Sequence, residues 1–176
     1  MADNLAVPED PVNVADETPS SAHAKRTFLV IVDDSEELGK ALLYACRRAE
    51  NNNGDVALLR VIDPVEFQSW AGVGELMRAE QREAAEAKLA PVADLVHNRV
   101  GRPPKIFVRE GLAVEQVLSV IDEDKSITAL VLAAAAAGEN PGPLISQLSG
   151  QLVGNLHVPL IIVPGSLSDE HIMTIT

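Results

Sequence analysis

Few residues of this sequence are spaced to do chemistry on their own, and the leading candidates are carboxylates. Asp33 and Asp34 follow the apolar run Thr27-Phe28-Leu29-Val30-Ile31-Val32, with Ser35, Glu36 and Glu37 next. Acids and a hydroxyl in this place suit a helix start, with Asp34 or Ser35 as N-cap and acids in the first turn. His23, His97, His157 and His171 lie far apart, and no pair has metal-ligand spacing. The single cysteine, Cys46, follows Tyr44-Ala45 in a helical stretch with no histidine near it. It reads as a small core residue, and no intrachain disulfide can form. Neither a G-x-G-x-x-G loop nor a Walker lysine motif is present. The expectation is a protein that acts by binding, not an enzyme, and one without a metal.

The elements around these residues alternate in type. The run 27–32 is β-prone throughout, as a strand buried on both faces must be. Leu38, Leu42, Ala45 and Ala49 then recur at helical spacing until Asn52-Asn53-Gly54 ends the helix. Asp55 to Ile62 is a second strand, closed by Asp63-Pro64. A long helix is expected from about Gly74 to Asn98, which Pro91 should kink or divide. Lys105–Arg109, Thr128–Ala134 and Pro159–Val163 read as strands. Leu112–Asp122 and Pro143 or Leu144 to Asn155 read as helices, the latter as the last one. The order β-α-β-α-β-α-β-α-β implies an α/β fold, a parallel sheet with helices on both faces. Pro159 and Pro164 mark the last strand as an edge.

Composition limits the partners. Apolar residues make up 47% and aromatic ones 3%, so the core is aliphatic and stacking platforms for carbohydrate or single-stranded nucleic acid are scarce. A formal net charge of −12 repels phosphate backbones and anionic lipid, which sets nucleic acid and membranes aside as partners. No apolar run approaches the roughly 20 residues of a membrane span. The start of the chain lacks the basic and apolar regions of a signal peptide. A cytoplasmic protein is expected. Residues 1–26, acidic and proline-bearing without an apolar period, read as a disordered tail. Residues 27–165 form the domain, and 166–176 a second tail in which Ile172 and Ile175 have no evident docking place.

Three pieces of this order resemble the universal stress protein family. Phe28-Leu29-Val30-Ile31-Val32-Asp33-Asp34-Ser35 is similar to its "apolar run, V-D-G-S". Leu58-Leu59-Arg60-Val61-Ile62-Asp63-Pro64 is similar to "L-L-H-V-x-D-P". Ala129-Leu130-Val131-Leu132-Ala133, followed later by Val158-Pro159-Leu160-Ile161-Ile162-Val163-Pro164, is similar to "D-L-I-V-M-G" and "C-P-V-L-V-V". The resemblance implies a Rossmann-like, five-stranded sheet in the order 3-2-1-4-5, and a homodimer commonly made through the fifth strand.

The resemblance also implies an ATP site, with G-x2-G-x9-G-[S/T] after the fourth strand. Glycines there let backbone N–H groups approach phosphate oxygens. An ungapped alignment from Leu132 puts Ala133, Ala136, Ser146 and Gln147 at these positions, so all three glycines and the hydroxyl are lost. The basic residue often found after the first glycine falls on Ala135. The loop Gly138-Glu139-Asn140-Pro141-Gly142-Pro143 adds a carboxylate and two residues without an N–H. Asp33 matches the aspartate that accepts from ribose or base, and Val61 the valine whose backbone faces adenine. What this implies is a regulatory or protective protein with weak or lost ATP binding. Its cofactor is none or a smaller adenine-containing ligand, and its partner is an unknown protein. An adenine-nucleotide module (AMP or ATP) is the alternative.

Val32-Asp33-Asp34-Ser35 also resembles the acidic pair of response-regulator receivers, where carboxylates hold Mg2+ beside a phosphoacceptor. That reading needs an acceptor after the third strand, whereas Asp63 ends the second. The segment Glu66–Gly74, with Phe67 and Trp70, reads either as a loop tucked onto the domain or as a lid or partner surface.

Overall fold

The computed structural model describes residues 25–64, 71–135, 142–150 and 153–176. The expectation for residues 1–24 and the two readings of Phe67 and Trp70 lie outside them. The elements run β1 (Thr27–Ile31), α1 (Leu38–Asn51), β2 (Asp55–Ile62), α2 (Ala71–Val100), β3 (Lys105–Glu110), α3 (Ala113–Glu123) and β4 (Ile127–Ala134). There follow α4 (Pro143–Ser149), a 3-10 turn (Val153–Asn155), β5 (Leu160–Pro164) and α5 (Asp169–Ile175).

The five strands form one parallel sheet in the order β3-β2-β1-β4-β5, as expected. Successive strand residues alternate between two cores, because a strand points its side chains to opposite faces in turn. Phe28, Val30, Val32 and Leu58 face α1, α2 and α5. Leu29, Ile31, Leu59, Leu130 and Leu132 face α3 and α4. Leu29, Val30, Leu58, Leu59, Leu130 and Val131 are fully buried, which is why these strands are aliphatic without a polar residue between. One irregularity lies between β1 and β4: Thr27 pairs with Ile127 but Phe28 with Ala129. The extra residue, Thr128, is exposed and resets the alternation of β4.

Several local expectations change. Helix α1 begins at Leu38 with Glu37 before it, and no side chain caps it. Asp34 and Ser35 are drawn elsewhere: Ser35 donates its N–H and hydroxyl to the Asp33 carboxylate at 3.1 and 2.6 Å, a local turn of the Asx type. Pro91 does not divide α2. Leu89 and Val96, on either side of it, are both buried in the core and hold the helix to the sheet across the missing hydrogen bond. The helix expected to reach Asn155 stops at Ser149, where Gly150 follows, and the 3-10 turn is a separate element.

The stretch read as a C-terminal tail holds a helix, α5. Ser168 caps it by accepting from the His171 N–H at 3.2 Å, and Asp169 and Glu170 fill its first turn. Ile172 is fully buried in the α1 core, and Lys40 donates to Asp169 at 2.7 Å. Ile175 remains exposed. Among the described residues, no helix is long and apolar enough to cross a membrane.

Candidate functional site

Parallel strands of this order diverge at their carboxyl ends between β1 and β4, where the crossovers leave the sheet in opposite directions. A cavity of about 450 Å3 opens there, a size suited to a small organic ligand. Val32 and Val61 contribute from the strand ends of β1 and β2, Leu132 and Ala133 from β4, and Leu144 and Ile145 from α4. The charged part of the lining comes from the loop after β1 and the end of β2: Asp33, Asp34, Glu37, Arg60 and Asp63.

The ionic geometry centres on Asp34. Arg60 donates through Nη2 to Asp34 Oδ2 at 2.7 Å, and Lys88 of α2 donates through Nζ to Oδ1 at 2.6 Å. These two hydrogen bonds, Arg60's first, hold the Asp34 carboxyl down to about 2. Arg60 also donates through Nη1 to the Val32 carbonyl at 3.0 Å. Its side chain is 16% exposed and that of Asp34 62%, so the cation is fixed and the carboxylate faces water. The sheet register explains the meeting: Val30 pairs with Leu58 and Ile31 with Leu59, so the chain leaving β1 passes beside Arg60.

Of the residues singled out from sequence, Asp33, Val61 and Ala133 meet in this one cavity, and Ala135 joins them. Ala136 lies outside the described residues. Ser146 and Gln147 do not join: both are exposed on α4, and the Ser146 hydroxyl donates to the Gly142 carbonyl at 2.9 Å. The reason is loop length. The ungapped alignment puts the motif's last glycine position at Ser146, whereas the chain enters α4 at Gly142, four residues earlier. Gly142 has φ +93°, which a side chain would resist, and Pro143 follows it at the first helical turn. Gly142 lines the cavity.

Sequence reasoning gave no role to Arg60 and Lys88, and gave Asp34 and Gly142 other ones, as a helix cap or receiver-type carboxylate and as part of the loop after β4. A signal for two of them was present. Asp34 stands where the pattern V-D-G-S has glycine, and Arg60 where L-L-H-V-x-D-P has histidine. Opposite charges at two departures from one pattern point to a pair. Among the described residues, no group of three or more His, Cys, Asp and Glu side chains is arranged to hold a metal ion, so Asp33, Asp34 and Asp63 do not form the cluster a receiver-type Mg2+ site needs. Cys46 is fully buried in α1, and burial pushes its thiol up to about 11.

Comparison with known proteins agrees with this architecture. A model of the universal stress protein family matches residues 25–164. The universal stress protein Rv2623 of Mycobacterium tuberculosis is 25% identical over 150 residues, which cover 82% of this chain and 49% of that protein. The chain thus spans about half the length of the curated relatives it matches. Among solved structures, the universal stress protein UspA from Lactobacillus plantarum superposes with a TM-score of 0.65 at 17% identity, covering 78% of this chain and 97% of that one. A universal stress protein from Archaeoglobus fulgidus gives 0.58 at 14% identity, covering 78% and 93%. At such identities the shared property is the fold.

Proposed function

The chain belongs to the universal stress protein family, and from that premise we propose that it is a cytoplasmic regulatory or protective protein that acts by binding, with a pocket that takes an adenine nucleoside and disfavours ATP. The observation that carries this reading is the charge of the cavity. Among the described residues, Asp33, Asp34, Glu37 and Asp63 surround a single lining cation, Arg60, which is already engaged by Asp34 and the Val32 carbonyl. A triphosphate brings several negative charges. Each would meet these carboxylates at short range, where repulsion costs about 1 kcal/mol in water and more near a protein surface. A nucleoside brings none.

The remainder of the pocket suits the nucleoside. Val32, Val61, Leu132 and Ile145 offer apolar walls to a base. Asp33 accepts from Ser35 through Oδ1, and a carboxylate has about four acceptor positions, so it can accept a ribose hydroxyl as well. The end of β4 supports the same preference, since Ala133 carries a side chain where close backbone approach to phosphate calls for glycine. Catalysis by the one thiol is disfavoured, because a group held near 11 is protonated at neutral pH.

A homodimer through β5 belongs to this reading. Among the described residues the strand pairs with β4 alone, and Ile162 is exposed on it. An edge strand with a bare apolar side chain invites a second chain.

The site is tested by mapping amide chemical shifts on addition of adenosine. Changes confined to Asp33, Val61, Ala133 and the start of α4 are expected. Changes elsewhere, or none at millimolar adenosine, would end the reading.

A further inference from the structure

We propose that Arg60 and Lys88 form a seat for one compact oxyanion, a monophosphate or carboxylate group, and that Asp34 occupies this seat as an internal stand-in until a ligand anion displaces it. The inference deepens the pocket reading above and rests on it for the ligand's nucleoside part only.

The geometry has the form of an oxyanion site with the anion supplied by the chain. Two cations from different elements, β2 and α2, converge on the two oxygens of one carboxylate at 2.7 and 2.6 Å. Charge-assisted contacts of this length are those a phosphate or carboxylate ligand makes. The partners differ in how firmly they are held. Arg60 is mostly buried and is braced by its second nitrogen on the Val32 carbonyl, so its guanidinium stays in place whether or not Asp34 is there. Asp34 sits on the short connection between β1 and α1, with its side chain largely in water. An ion pair exposed on one side contributes little net stability, so displacing it costs little. Both Asp34 and Arg60 line the cavity, so a ligand already seated by its base reaches the Asp34 position, on which Arg60 and Lys88 converge.

One consequence concerns selectivity. With Asp34 in the seat, an incoming anion must displace a carboxylate, so a monophosphate gains nothing over the bare nucleoside. With the carboxylate removed, both cations are exposed to the ligand.

The test uses the full chain and three variants: Asp34→Asn, Asp34→Asn with Arg60→Gln, and Asp34→Asn with Lys88→Gln. Inorganic phosphate and adenosine are titrated separately, and circular dichroism checks that each variant is folded. Asp34→Asn should bind phosphate about tenfold more tightly than the natural chain, the size of a lost charge competitor of about 1.4 kcal/mol. Adding Arg60→Gln should abolish the gain, and adding Lys88→Gln should reduce it. Equal phosphate affinity in the natural chain and Asp34→Asn would overturn the proposal. So would a gain that survives both second substitutions. Loss of adenosine binding in every protein would end the nucleoside reading, and the phosphate comparison would still decide the seat.

Discussion

Replacing Ile172 with alanine tests how the C-terminal helix is held. Ile172 is fully buried in the core formed with α1, whereas Ile175, one turn on, is about half exposed. Ile→Ala removes three carbons. At about 0.8 kcal/mol for each buried methylene the transfer term alone is roughly 2.4 kcal/mol, and incomplete collapse of the cavity adds to it. A loss of about 2 to 4 kcal/mol is expected. Ile175→Ala should cost under about 0.5 kcal/mol, as exposed substitutions do. Urea unfolding followed by circular dichroism gives both values. With a slope of roughly 2 kcal/mol per molar, the Ile172 variant should move its midpoint by about 1 to 2 M and leave the slope unchanged. Equal, small shifts for the two variants would refute the docking of α5. Removal of residues 166–176 would then be neutral too.

Four other substitutions bear on the account. The Asp34 carboxyl titrates near 2 when folded, below its ordinary value of 3.8. The unfolded chain therefore takes the proton first, and the pair's contribution is present above about pH 4 and fades as pH falls toward 2. Solvent screening limits it to roughly 0.5 to 1 kcal/mol, and the stability difference between the natural chain and Asp34→Asn measured from pH 6 to 2 should shrink to nothing; a difference that grows on acidification would contradict the pairing. A β-carbon at Gly54 would run into the Arg26 carbonyl oxygen, whereas one at Gly39 meets open space. Gly54→Ala should cost about 1 to 3 kcal/mol and Gly39→Ala should be neutral or stabilising by up to about 1 kcal/mol, both read by thermal unfolding, and the reverse order would contradict the packing at the foot of β1. Ile162→Lys places a charge on the exposed edge of β5 and should convert a dimer to a monomer in sedimentation velocity; an unchanged sedimentation coefficient would rule out assembly through this strand.

The strands were legible because a parallel sheet covered on both faces demands continuous apolar runs, and 28–32, 56–59 and 129–134 are such runs. The register was not legible, and the site depends on it. Arg60 and Asp34 are 26 residues apart, and no spacing rule joins them until Ile31 is paired with Leu59. The C-terminal helix was missed although Ser168-Asp169-Glu170 is a cap followed by acids. A seven-residue helix cannot stand without docking, and only the fold reveals the place that Ile172 fills. The phosphate-loop positions rest on an ungapped alignment, which fixes the loop's length in advance. The structure starts α4 at Pro143, which puts Gly142 at the helix entrance and leaves Ser146 and Gln147 on its exposed side.

Calorimetric titration of the full chain with adenosine, AMP and ATP, after removal of any co-purified nucleotide, tests the central claim most directly. The acidic lining around an engaged Arg60 predicts adenosine binding at least as tight as AMP, and ATP weaker than either by about tenfold or more. Tighter binding of ATP than of adenosine would contradict the account. It would mean that phosphates are held there despite alanine at two of the glycine positions, Ala133 and Ala136.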